Sequence, residues 1–65
     1  MQEVNYLGIK ILYSITGKYR IEVTPNGKSH FPAVILRKVR SYWEQIDHGV
    51  NMRQEDLDKY LKELV

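Results

Sequence analysis

Sixty-five residues, 43% apolar and 28% charged, have the composition of one globular domain spanning 1–65, too polar for a membrane protein and too apolar for a disordered chain. The absence of cysteine excludes a disulfide framework and most zinc frameworks, and makes the cytoplasm the expected compartment. The net charge is only +2, but seven basic side chains face two acidic ones from Met1 to Trp43, whereas three face six from Glu44 to Val65. That asymmetry points to an anionic partner for the basic portion.

In chain order, Leu7, Ile9, Ile11, Tyr13 and Ile15 alternate with Gly8, Lys10, Leu12 and Ser14, the period-two pattern of a half-buried strand. Tyr19, Ile21 and Val23 repeat it, with Arg20, Glu22 and Thr24 pointing the other way. Facing residues in a hairpin share a face, so an odd-length loop such as the three residues Thr16-Gly17-Lys18, or a bulge there, is expected. It pairs Ile15 with Tyr19, Tyr13 with Ile21 and Ile11 with Val23, making one continuous apolar face. Pro25-Asn26-Gly27 reads as a type I turn followed by a left-handed glycine, pairing Thr24 with Lys28. A short third strand from Lys28 to Phe31 follows, with Phe31 inward and Lys28 and His30 outward.

Pro32 suits the first turn of a helix, where its missing donor costs nothing. Ile35, Leu36, Val39, Tyr42, Trp43 and Ile46 then fall within about 120° of arc at helical spacing, which predicts a helix over 33–47 closed by Gly49. Asn51 with Gln54 resembles a capping box, and Leu57, Tyr60, Leu61 and Leu64 form a second stripe, predicting a helix over 52–64. The expected fold is α+β: a three-stranded antiparallel meander, about 7–31, packed on a long helix and followed by a shorter C-terminal one.

Searching this framework for chemistry gives little sign of catalysis. Ser29 and His30 are neighbours on a strand and point to opposite faces, so they cannot act as nucleophile and base. Glu44 and His48 are spaced to meet on one helical face, but two histidines without cysteine are poor material for a metal site. No enzyme and no cofactor is expected. The longest mainly apolar run, Ile11 to Gly17, is far short of the roughly 18 residues needed to span a bilayer.

Binding is better supported. The outward sheet face would carry Lys10, Ser14, Arg20, Thr24, Lys28 and His30, with Lys18 at the hairpin tip, against the single acid Glu22. A ribbon of strands fits the major groove of duplex DNA, its cations meeting phosphates and its polar side chains reaching base edges. Three strands followed by a long helix also resemble, in architecture alone, the groove-docking sheet domains of plant transcription factors and the arm-binding domains of tyrosine recombinases. A helix-turn-helix across His48 to Asn51 would instead send a net acidic helix toward phosphates, which disfavours it. The expected function is therefore that of a small non-enzymatic DNA-binding or accessory regulatory protein. The alternative is a protein-interaction or homodimerisation module anchored by some of the seven aromatic side chains.

Overall fold

Tyr19, Ile21 and Val23 are buried while Arg20 and Glu22 between them are half-buried, and this period of two organises the molecule. The computed structural model describes residues 3–65. Five strands follow in chain order: β1 (Glu3–Tyr6), β2 (Ile9–Tyr13), β3 (Tyr19–Val23), β4 (His30–Val39) and β5 (Tyr42–Arg53). They form one antiparallel sheet in the order β1-β2-β3-β4-β5, and a single helix, α1 (Gln54–Leu61), covers one face. Among the described residues no helix is long and apolar enough to cross a membrane.

This overturns the expected three-stranded sheet on a long helix, and with it the architectural resemblance, which rested on that helix. Residues 33–47 belong to β4 and β5, joined by a tight turn at Arg40 and Ser41. A short continuous apolar run such as Phe31 to Leu36 satisfies both periods, so periodicity alone cannot choose between them. The choice was made by pairing: Ile35 lies opposite Ile21, and Ala33 opposite Val23, completing a buried layer that an isolated helix could not offer to β3. β-Branched Val34, Ile35 and Val39 suit that state. Pro32 does not start a helix; it lies just past the Val23–Ala33 pair that ends the β3–β4 ladder, where its carbonyl accepts the Thr24 N–H at 3.0 Å and its missing donor breaks no pairing. Gly49 is no helix cap. It faces Ala33 within β5, and a Cβ there would stand 2.9 Å from Met52 Cγ.

The β2–β3 register also departs from expectation, by one residue. Leu12 faces Ile21, Lys10 faces Val23, and Ser14 meets Tyr19, so the loop holds four residues, Ile15 to Lys18, rather than three. Since side chains alternate, a one-residue slip exchanges the faces of the whole strand. Lys10, Leu12 and Ser14 therefore share the helix-covered face with Tyr19, Ile21 and Val23, while Ile9, Ile11 and Tyr13 share the other with Arg20 and Glu22. What was read as one strand from Leu7 instead begins with a β1–β2 turn, where Leu7 and Gly8 both take positive φ, 50° and 79°. The third strand starts at His30 rather than Lys28. Gly27 does take positive φ, 73°, but the connection runs on through Lys28 and Ser29.

Leu57 and Leu61 of α1 pack on Ile21, Val23, Ala33 and Ile35, with Leu12, Phe31, Met52 and Tyr60 at the margin. The helix is shorter than predicted. Its N-cap is Arg53 rather than Asn51, and the Asp56 carboxylate accepts the Arg53 backbone N–H at 3.0 Å, which holds that carboxyl below its ordinary range. Beyond its C-terminus, the Glu63 carboxylate accepts the Thr16 N–H at 2.7 Å and the Thr16 hydroxyl, while the Ile15 N–H bonds the Leu61 carbonyl at 3.0 Å. The C-terminal segment is thus clasped to the β2–β3 loop.

Candidate nucleic-acid interface

The register decides which cations can act together. The start of β2, the end of β3 and the start of β4 make one end of the sheet; the β2–β3 loop and the β4–β5 turn make the other.

At the first end lie Lys10, Thr24, Lys28 and His30. Lys10 and Lys28 border a groove between the sheet and the start of α1. Thr24 is exposed just past β3, and His30 Nδ1 is 3.0 Å from Ser29 Oγ. Ser14 belongs to the opposite end and is buried; its hydroxyl accepts the Tyr19 N–H at 2.9 Å, so it is not presented to a base edge. Lys18 is also at that end, its ammonium 5.6 Å from the Tyr19 ring centroid. Arg20 projects from the face opposite to Lys10. The seven predicted residues therefore do not make one surface, since the exchanged β2 face carried Lys10 and Ser14 under the helix side.

Arg20 is committed locally. Its guanidinium pairs with Glu22 at 2.9 Å, and its Nε is buried without a hydrogen-bond partner among the described residues. Above this face Tyr13 and Trp43 place their ring centroids 6.0 Å apart at 53°. In a flat sheet β2 and β5 would be about 14 Å apart, so the two rings must lean together across β3 and β4. Ile11, only 9% exposed although it faces away from α1, belongs to the same side. The helix-free face is a second, smaller packing surface rather than a uniformly basic plane.

Several cations lie at the end of the sheet where sequence reasoning did not look. Arg37, Lys38 and Arg40 sit at the β4–β5 turn, Arg37 on the Tyr19 face and Lys38 on the other, and the Lys38 N–H bonds the Lys18 carbonyl at 2.9 Å, which places the Lys18 backbone beside Lys38 while its ammonium lies over Tyr19. Arg37 pairs with Glu44 at 3.2 Å across the hairpin. Aromatic rings are interleaved: Trp43 faces Lys38 in the register, and Tyr42, opposite Val39, is 56% exposed. The signal in the sequence was the segment Arg-Lys-Val-Arg-Ser-Tyr-Trp, 37–43, which the helical reading wrapped around a cylinder instead of folding into a hairpin tip. Nearby Glu63 is held below its ordinary pKa by hydrogen bonds from Thr16 and Ser14 and by the Lys18 charge, so it stays anionic there.

No protein-family model, curated protein or solved structure matches this chain.

Proposed function

We propose that this is a small non-enzymatic nucleic-acid-binding protein that meets phosphates through the β4–β5 hairpin end rather than through a basic sheet face. The observation that carries this reading is the placement of Lys18, Lys38 and Arg40 at one end of the sheet, with half-buried Trp43 opposite Lys38 on the helix-free face and exposed Tyr42 at the same turn. Cations interleaved with aromatic rings suit both the phosphate charge and the stacking of unpaired bases. Several carboxylates are already engaged: Glu22 with Arg20, Glu44 with Arg37, Asp56 with the Arg53 N–H and Glu63 with Thr16.

Trp43 is the chain's one tryptophan and provides the assay. Titrating single-stranded and duplex DNA should quench its fluorescence, with affinity falling as salt rises. Three phosphate contacts would give a log–log slope of about −2.7 on duplex and about −2.1 on single strands. Replacing Lys38 and Arg40 by glutamine should flatten that slope and leave the fold intact. Absence of binding at low salt ends the proposal.

A second reading rests on β5. It is one of the sheet's two edges and is twelve residues long, and no described strand pairs with its outer side. A long open edge is a template for strand addition by a second copy or another protein. Sedimentation equilibrium separates the two readings, because edge pairing gives a concentration-dependent dimer without nucleic acid.

A further inference from the structure

The centre of the helix-free face is built in two rows. Across β2, β3 and β4 the register aligns Tyr13, Arg20 and Leu36 in one row and Ile11, Glu22 and Val34 in the next. Each row carries one charge at its middle, of opposite sign, between two apolar side chains. α1 covers the other face with Leu57 and Leu61, and on this face Ile11 is buried while the other five side chains are half-buried.

These rows are complementary to each other. A two-fold axis lying between two copies, perpendicular to the strands and passing over Ile21, lays each row on the partner's other row. Tyr13 then meets the partner's Ile11, Arg20 the partner's Glu22, and Leu36 the partner's Val34, so apolar lies on apolar and cation on anion at all six positions. An axis running along the strands would instead stack Arg20 on the partner's Arg20, a repulsive contact. Charge therefore selects one of the two ways in which this face can pack on itself.

We infer that the helix-free face is a dimer interface, occupied by a second copy of this chain packed sheet on sheet about that axis. Stacked sheets lie about 10 Å apart with their strands within about 30° of each other, and rows next to the axis stay aligned despite that angle. The two longer dimensions of the molecule, 33 and 26 Å, give the face room for about 800 Å² per copy, the area of a standard interface, with little to spare. The dimer should therefore dissociate on dilution through the micromolar range. Burying the central charges adds little cost, because the Arg20 and Glu22 side chains, paired at 2.9 Å, keep only 26% and 32% of their exposure in the single copy. A 65-residue chain buries only roughly 60% of the surface its unfolded form exposes, and a second sheet on this face enlarges that core.

This surface is separate from the β5 edge, and either one gives a concentration-dependent dimer, so the experiment has to locate the contact. Sedimentation equilibrium is run on the parent, on Arg20→Glu, on Glu22→Arg and on an equimolar mixture of the two variants. The parent should dimerise. Each variant alone stacks like charges across the axis and should dimerise at least about tenfold more weakly. In the mixture every stacked pair is again opposite in sign, so heterodimers should form with close to parental affinity. Both variants lose the internal ion pair, alone and mixed, so that loss cannot produce the recovery. Circular dichroism checks that each variant folds. Should one fail, amide shifts of the ¹⁵N-labelled parent on dilution decide instead, and they should move along Ile11–Tyr13, Arg20–Glu22 and Val34–Leu36. A parent that stays monomeric at millimolar concentration, a mixture as weakly associated as its components, or dilution shifts confined to β5 would each overturn the assignment.

Discussion

Substituting Ile35 and Leu36 separately tests whether residues 33–47 form strands. Ile35 has no exposed surface and packs with Ile21, Val23 and Leu57, whereas Leu36 is half-buried on the helix-free face. Ile35→Ala should cost about 2–5 kcal/mol, the range for deleting a buried branched side chain. A 65-residue domain at about 0.05–0.15 kcal/mol per residue has only about 3–10 kcal/mol in total, so this variant stands close to unfolding. Ile35→Val removes one methyl group, costs about 1 kcal/mol and should lower Tm by about 4–8 °C. Leu36→Ala loses three carbons from a half-solvated position, about 1.2 kcal/mol at about 0.8 kcal/mol per fully buried methylene. Urea unfolding followed by Trp43 fluorescence measures all three. A helical stripe would make positions 35 and 36 near equivalents; finding the two alanine variants equally destabilised would refute the sheet.

Two further predictions concern the turn and the clasp. Arg40 is held at φ 56°, a conformation costing a non-glycine residue roughly 1–2 kcal/mol, so Arg40→Gly should raise stability by about 0.5–1 kcal/mol after the glycine entropy term while reducing the salt slope of DNA binding by about 0.9; thermal melts showing no gain would deny the strain. Glu63 has a folded pKa below its ordinary 4.5, so the clasp contributes stability above that value and loses it as pH falls through the folded pKa. Tm measured between pH 6 and pH 3, roughly, should therefore fall less steeply in Glu63→Gln than in the parent, and identical pH profiles would remove the clasp from the stability account.

The reach of the sequence can be judged element by element. Tyr19–Val23 was legible because its alternation has only one reading, and the inward face of α1 was legible because Leu57 and Leu61 recur at helical spacing with acids on the other side. The 33–47 segment was not, since the run from Phe31 to Leu36 and the later Val39, Tyr42, Trp43 and Ile46 satisfy a helical stripe as readily as two strands. Composition exposed the basic portion of the chain, but the proposed interface moved from the first hairpin to residues 37–43 once these formed the β4–β5 hairpin tip.

Local chemistry in the chain determined the strand over Tyr19–Val23, the turn at Gly27, and the final helix with Leu57 and Leu61 inward. Tertiary structure alone decided the parity of the β2–β3 hairpin and the state of residues 33–47. Both hinge on a partner distant in sequence: Ile35 is buried as a strand only because Ile21 stands opposite it and Leu57 lies above it, and no local propensity contains that contact. A single residue of loop length then set which lysines and which isoleucines shared a face.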